Sequence, residues 1–92
     1  MESYKIIISG KVQHVYYRKS ISQALMRLGI QGYIKNLSNG TVEVVARIYD
    51  DDLDAVLETL KQGSPLSEVS DIKAEVCENE DLIYDGVEIR YT

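Results

Sequence analysis

Hydrophobic and polar residues alternate along parts of the chain in the pattern typical of half-buried strands. The apolar run "YKIIIS" at 4–9 is too short for a core helix and rich in β-branched residues, so it predicts a strand. The segment 41–49 predicts another, because apolar residues occupy every second position. The buried face expected there consists of Val42, Val44, Ala46 and Ile48. Further strands are predicted at 30–37, 71–76 and 85–92.

Two segments instead carry apolar residues at helical spacing. The first stripe has the spacing i, i+3, i+4 and i+7, and its members are Ile21, Ala24, Leu25 and Leu28. Gly29 stands where a glycine commonly ends a helix, whereas the start is either Arg18 or Ser20. The second helix has the aspartates of 50–54 at its N-terminus and ends before Gly63. Its apolar stripe consists of Leu53, Val56, Leu57 and Leu60.

The order of these elements is β-α-β-β-α-β, with a short fifth strand at the end. Asn39-Gly40 between the second and third strands is a strong hairpin signal. This order predicts an α+β fold, a ferredoxin-like split βαβ sandwich with an antiparallel sheet and two helices on one face. Because no linker or repeat interrupts it, we expect one domain over residues 1–92. The same fold serves sensors, RNA binders and enzymes, so it does not decide the function.

Composition narrows the class of protein. No apolar run in the 92 residues approaches the ~20 residues that a membrane span needs, and the N-terminus does not resemble a secretory signal. The single cysteine, Cys77, excludes an internal disulfide and a multi-cysteine metal site. We therefore expect a cytoplasmic protein that does not contact the membrane.

Charge is distributed unevenly along the chain. The net charge of −5 argues against general nucleic-acid binding. Residues 1–49 nevertheless contain seven basic and two acidic residues, whereas residues 50–92 contain three basic and thirteen acidic ones. A basic half within an acidic protein suits a small anionic ligand better than a long polyanion. The alternative is that most of these charges only solvate the surface.

The segment "GKVQHVYYRKS" at 10–20 connects the first strand to the first helix. The N–H groups at a helix start have no acceptor within the helix, and the helix dipole favours an anion there. Arg18 adds a planar guanidinium that can hold two phosphate oxygens at once. This loop is therefore the predicted phosphate site.

Two motifs resemble the signatures of the acylphosphatase family. "ISGKVQHVYYR" at 8–18 resembles G-x-V-Q-G-V-x-F-R, and "GYIKNLSNGTV" at 32–42 resembles G-[aromatic]-[Ala/Val]-K-N-x-x-x-G-x-V. The likeness continues through "GSPLSEV" at 63–69 and "EIRY" at 88–91, so it covers nearly the whole chain. Two long motifs in the right order are far more specific than a lone glycine-rich loop.

The resemblance implies an enzyme that hydrolyses the carboxyl–phosphate anhydride of small acyl phosphates to a carboxylate and inorganic phosphate. It implies that Arg18 binds the phosphate and that Asn36 orients the attacking water. It also implies a backbone cradle that binds the substrate, formed by Gln13, His14, Val15, Tyr16, Tyr17 and Arg18. Neither a metal nor a cofactor is implied, and we expect a monomer whose partner is the small-molecule substrate, not nucleic acid.

The chain departs from the family pattern within the first motif. His14 replaces a glycine and Tyr17 replaces a phenylalanine. Because a phosphate cradle often needs a residue that adopts positive φ, the lost glycine leaves an alternative open: a catalytically weak or inactive ferredoxin-like anion-binding or regulatory module. We interpret His14 as a tolerated substitution on the outer side of the loop.

Simpler explanations also exist for the two principal residues. Arg18 could cover a carboxylate near the helix start, and Asn36 could be a turn former. Their places in the two motifs favour the functional interpretation. Acylphosphatase-like domains also occur at the start of larger carbamoyl-transfer maturation proteins, which is a further alternative for the chain as a whole.

Overall fold

The computed structural model describes residues 2–13, 16–63, 67–77 and 86–90. Within these ranges, two helices pack against a five-stranded sheet. The strands are β1 (Glu2–Lys11), β2 (Gln31–Asn36), β3 (Val42–Ile48), β4 (Glu68–Val76) and β5 (Val87–Arg90), and the helices are α1 (Tyr17–Arg27) and α2 (Leu53–Gln62). A 3₁₀ turn (Asp50–Asp52) precedes α2. The predicted order of elements is confirmed, with ends that differ by a few residues. Positions 85, 91 and 92 of the predicted last strand lie outside the described residues.

The sheet has the strand order β4-β1-β3-β2-β5. β1 pairs antiparallel with both β3 and β4, and β2 pairs antiparallel with β3. β5 instead runs parallel to β2, in a register that places Arg90 opposite Lys35. The antiparallel sheet expected from the sequence is therefore mixed at one edge. Alternation of apolar residues shows which face a side chain takes, but it carries no information on strand direction.

Both helices cover the same face of the sheet, and the core lies between the two layers. The apolar residues of α1 and α2 pack against alternate residues of the three central strands in one buried cluster. On the strands these are Tyr4, Ile6, Ile8, Ile34, Val42, Val44, Ala46 and Ile48, and on the helices Tyr17, Ile21, Leu25, Val56 and Leu60. The predicted buried face of β3 is thus confirmed.

The edge strand β4 is covered only in part. The alternation of apolar residues within the predicted strand 71–76 indicates the correct face, because Ile72, Ala74 and Val76 pair with core residues of β1. Ile72 is half-buried, however, whereas Ala74 is exposed and Val76 is 58% exposed. A strand pattern predicts the direction of side chains but not how far the helices extend over an edge strand.

Helix α1 ends as the sequence predicts. Gly29 has φ 75°, a left-handed conformation that is costly for residues with a Cβ. Its N–H donates to the Met26 carbonyl at 3.0 Å, and the N–H of Ile30 donates to the Leu25 carbonyl at 3.1 Å. This pair of bonds satisfies carbonyls at the helix end and turns the chain into β2. In the described part of the chain, neither helix has the length and apolar content that crossing a bilayer requires.

Candidate active site

Helix α1 begins at Tyr17, one residue before the earlier of the two predicted starts. Its ladder opens with the bond from Ser20 N–H to the Tyr16 carbonyl (3.0 Å), so the helix offers no acceptor to the N–H groups of its first turn. The side chain of Tyr16, the residue before the helix, makes no capping hydrogen bond, and no acidic residue lies in the first turn. The helix start therefore keeps the partial positive charge that attracts an anion.

Tyr16, the residue before the helix, adopts a left-handed conformation with φ 60° and ψ 18°. It is the one non-glycine residue with positive φ in the described ranges. Its side chain is 77% exposed, so the conformation is not imposed by packing of the ring. The backbone therefore takes a left-handed conformation within the predicted cradle, immediately before the helix N-terminus.

Arg18 is held at the end of the sheet by the last strand. Its Nη1 donates to the Arg90 carbonyl at 2.9 Å. Arg90 is the register partner of Lys35, the residue before Asn36. The guanidinium of Arg18 and the end of β2 are thus at the same end of the sheet, although 18 positions separate Arg18 from Asn36 in the sequence.

Asn36 is the last residue of β2, and its side chain carries an unusual feature. The Oδ1 atom is buried and accepts no hydrogen bond from any residue that the structure describes. An amide oxygen left in this state costs about 1–3 kcal/mol, so native folds keep few of them, and a catalytic role is one of the reasons for keeping one. The turn-forming role belongs to Asn39, whose Oδ1 accepts hydrogen bonds from Thr41 N–H (3.1 Å) and Thr41 Oγ1 (2.6 Å).

Gln13 links the predicted cradle to the hairpin that follows Asn36. Its Nε2 donates to the carbonyls of Leu37 (2.8 Å) and Thr41 (2.9 Å). His14 and Val15, the next two residues predicted to bind substrate, lie outside the described residues. Gln13 was predicted to contribute only its backbone to the cradle, and no sequence pattern indicated these side-chain bonds.

The side chain of Tyr17 packs into the core and is not available to the predicted phosphate site. Its ring is buried in the core, and its hydroxyl donates to the Leu60 carbonyl at 2.7 Å. Leu60 lies in the last turn of α2, where the helix offers its carbonyl no donor. The tyrosine that replaces the family's phenylalanine thus donates to a carbonyl that the helix itself leaves unpaired, and burial raises the pKa of its hydroxyl. Only the backbone of Tyr17 is available for the predicted cradle.

Comparisons with known proteins identify the family. Residues 4–89 match the family model described as Acylphosphatase. The chain is also 40% identical over 90 residues to an acylphosphatase of Methanocella arvoryzae, an alignment that covers 98% of this chain and 100% of that protein. The chain belongs to the acylphosphatase family. Its activity is accordingly the hydrolysis of acyl phosphates, as the two motifs predict.

Solved structures agree with this membership. A crystal structure of acylphosphatase from Bacillus subtilis matches with a TM-score of 0.89 and 31% identity, over 99% of this chain and 100% of that one. The predicted ferredoxin-like α+β fold class is confirmed. A crystal structure of HypF from T. kodakarensis matches with a TM-score of 0.85 and 26% identity, and covers 100% of this chain but 12% of that one. The acylphosphatase fold thus also forms a small part of a much longer chain.

The predicted family and enzyme class are therefore confirmed, and an inactive anion-binding module is not favoured. A domain of a larger carbamoyl-transfer protein stays an open alternative. Among the predicted site residues, the structure brings Arg18 and Asn36 to one end of the sheet with the start of α1. It adds Arg90, which the sequence analysis did not connect to the site. The contact uses a backbone carbonyl, and no side-chain pattern could have indicated it.

Proposed function

We propose that Arg18, the backbone N–H groups of residues 13–18 and Asn36 form the site at which this acylphosphatase hydrolyses small acyl phosphates. The observation that carries the proposal is the buried Oδ1 of Asn36, which has no partner within the described residues. It lies on the strand that runs beside Arg90, the residue to which Arg18 is bonded. An acceptor for a water and a donor for a phosphate are thus supplied at one end of the sheet.

The phosphoryl group binds first by charge and hydrogen bonding. Its non-bridging oxygens accept bonds from the N–H groups of the cradle and from the guanidinium of Arg18. The helix start and the guanidinium both carry positive charge, and phosphoryl transfer places negative charge on these same oxygens. Donors that are fixed before the reaction stabilise that charge without reorganisation.

Asn36 then orients the nucleophile. A water donates one hydrogen to Asn36 Oδ1, which turns an oxygen lone pair toward phosphorus. The new bond forms between the water oxygen and phosphorus while the bond from phosphorus to the acyl oxygen breaks, and the carboxylate leaves with the electron pair. A carboxylate and hydrogen phosphate result, and one proton passes to solvent. Because the anhydride is already reactive, holding the two reactants in line is sufficient.

The finer features of the protein rest on the sequence. We propose a small, freely diffusing acyl phosphate as the substrate, since the net charge of −5 opposes binding of a polyanion such as nucleic acid. A monomeric state, a cytoplasmic location and a single acylphosphatase-like domain over residues 1–92 stay predictions.

Substitution of Arg18 tests the binding half of the site. We expect Arg18→Gln to lose affinity for phosphate and activity together, with kcat/KM at least about 100-fold lower, because both the ground state and the transition state lose their cation. The assay is turnover of a chromogenic acyl phosphate with inorganic phosphate as competitor. Lys19→Gln is the matched control, because it removes an exposed charge from the next residue and should leave kcat/KM close to that of the parent.

Substitution of Asn36 tests the water-orienting half. We expect Asn36→Ala to lower kcat about 100-fold, while the inhibition constant of phosphate stays within about threefold of the parent. Asn39→Ala is the control, since it removes the other asparagine of the same hairpin and should cost stability but little turnover. Parent-like hydrolysis by both the Arg18 and the Asn36 variants would refute the proposed site.

A further inference from the structure

Gln13 donates two hydrogen bonds from its side-chain amide to the hairpin between β2 and β3. The residue follows β1 at the beginning of the predicted cradle, and its Nε2 lies 2.8 Å from the Leu37 carbonyl oxygen and 2.9 Å from that of Thr41. Because both partners are carbonyl oxygens, the amide can face them only with its nitrogen. Its orientation is therefore fixed by chemistry.

The two acceptors are the residues that close the β2–β3 hairpin. Leu37 N–H donates to the Thr41 carbonyl at 2.9 Å, and Gly40 N–H donates to the Leu37 carbonyl at 3.2 Å. Each carbonyl thus already accepts one bond from within the hairpin, and Gln13 occupies the second acceptor position of each. Leu37 follows Asn36 directly, so the bonds of Gln13 reach the hairpin one residue from the buried amide.

We propose that Gln13 is a positioning residue that fixes the carboxamide of Asn36 relative to the phosphate cradle. The inference rests on the proposed function. The backbone of Gln13 belongs to the loop that binds the phosphoryl group. Its side chain holds the hairpin that carries the water-orienting amide. The side chain therefore sets the distance between the bound phosphorus and the attacking water without touching either.

This role differs from that of a residue that only stabilises the fold. The contacts that hold Arg18 at the Arg90 carbonyl and form the α1 start do not include Gln13. Loss of the Gln13 bonds should leave phosphate binding intact and misplace only the water. Because an error of about 1 Å in the position of a reacting group can cost roughly 100-fold in rate, the effect should appear in kcat.

The first test is Gln13→Met, which keeps the length of the side chain and removes both donors. We expect kcat to fall about 10- to 100-fold, with the inhibition constant of inorganic phosphate within about threefold of the parent. Thr59→Val is the matched control, because it removes a hydroxyl that donates to the Ala55 carbonyl at 2.9 Å in α2. It also removes a side-chain-to-carbonyl bond, but one that lies within a helix without any of the proposed site residues, and should leave kcat unchanged.

The second test combines substitutions at Gln13 and Asn36. If Gln13 acts through Asn36, Gln13→Met should produce no further loss of kcat in a chain that already carries Asn36→Ala. Multiplied losses in the double variant would overturn the inference. A loss of phosphate affinity as large as the loss of kcat would also overturn it, since Gln13 would then shape the cradle itself.

A second variant covers the case in which Gln13→Met does not fold. In Gln13→Glu a carboxylate faces the two carbonyl oxygens, and one O–H donor returns when the carboxyl is protonated. We expect the kcat of this variant, relative to the parent, to rise as the pH is lowered. A ratio that does not change with pH would contradict the positioning role.

The outcomes separate this inference from the proposed function. Parent-like turnover of Asn36→Ala would refute the proposed site itself. Parent-like kcat of Gln13→Met beside an impaired Asn36→Ala would leave the site standing and refute only the role of Gln13.

Discussion

Two asparagines of one hairpin show how the same side chain can serve different purposes. The oxygen of Asn39 is satisfied by Thr41, two residues on, and stabilises the turn. The oxygen of Asn36 is buried and accepts no hydrogen bond from the described residues. It therefore lowers the stability of the protein in the absence of substrate. Strain and unsatisfied groups of this kind accumulate at functional sites, where they are part of the mechanism. The cost at Asn36 is consistent with an acceptor reserved for a water.

Tyr16 provides a second example at the scale of one residue. Because its left-handed φ of 60° is unfavourable for a β-branched residue, we expect Tyr16→Val to lower the free energy of unfolding by about 1–2 kcal/mol. Tyr16→Asn should have little effect, since asparagine tolerates this conformation and the tyrosine ring is largely exposed. Urea unfolding measures both. Equal losses in the two variants would show that the backbone conformation is not what limits this position.

At the scale of helices and strands, the sequence predicted most of the fold. The alternation in β3, the helical stripes and the hairpin signal each reflect local physics, so each can be read from neighbouring residues. The parallel pairing of β5 and the exposed end of β4 depend on distant parts of the chain, and no local pattern encodes them. The site shows the same division. Arg18 and Asn36 carry motif signals, whereas the bonds of Gln13 and Arg18 to backbone carbonyls do not.

The contact between the start of α1 and the end of α2 requires a glycine at position 63. Gly63 ends α2 with φ 55° and ψ −138°, and a Cβ there would lie 2.7 Å from the ring of Tyr17 and also against Ser67. Gly29 likewise has positive φ, but nothing lies within 4 Å of the corresponding Cβ position. Gly29→Ala should therefore cost about 1 kcal/mol for the backbone alone, whereas Gly63→Ala should cost at least about 1 kcal/mol more because of overpacking.

The measurement for this pair is chemical denaturation of both alanine variants beside the parent. Both substitutions add one methyl group at a glycine with positive φ, and at Gly63 the ψ of −138°, outside the left-handed helical region, adds to the cost of a Cβ. A smaller loss for Gly63→Ala than for Gly29→Ala would contradict the packing described around Tyr17.

At the scale of the whole molecule, two tyrosines should make the free energy of unfolding decrease at alkaline pH. The hydroxyl of Tyr4 donates to Asp50 Oδ1 at 2.7 Å, and this bond, together with burial and the negative charge of Asp50, raises the pKa of Tyr4 to about 12. Burial also raises the pKa of Tyr17. The fold therefore favours the neutral phenol in both cases. The resulting stabilisation is complete below pH ~10, the usual value for tyrosine, and is lost as the pH rises toward the folded-state pKa.

Tyr17→Phe tests this dependence. At pH 8 we expect the variant to be about 1–3 kcal/mol less stable, because the buried Leu60 carbonyl loses its donor. Above pH 10 the parent should lose stability more steeply than the variant, by up to about 1.4 kcal/mol per pH unit. Unfolding in urea at a series of pH values between 8 and 12 measures both slopes. Parallel slopes would show that Tyr17 does not titrate on unfolding.

The contact between Arg18 and the Arg90 carbonyl spans 72 positions of a 92-residue chain. During synthesis the arginine leaves the ribosome long before the strand that will hold it, and local structure can form in the meantime. Contacts of such long range also slow the search for the native state. The bond from Arg18 to the Arg90 carbonyl therefore forms only after β5 has been made. Removal of β5 should release the guanidinium from this carbonyl even where the helix that carries Arg18 is intact.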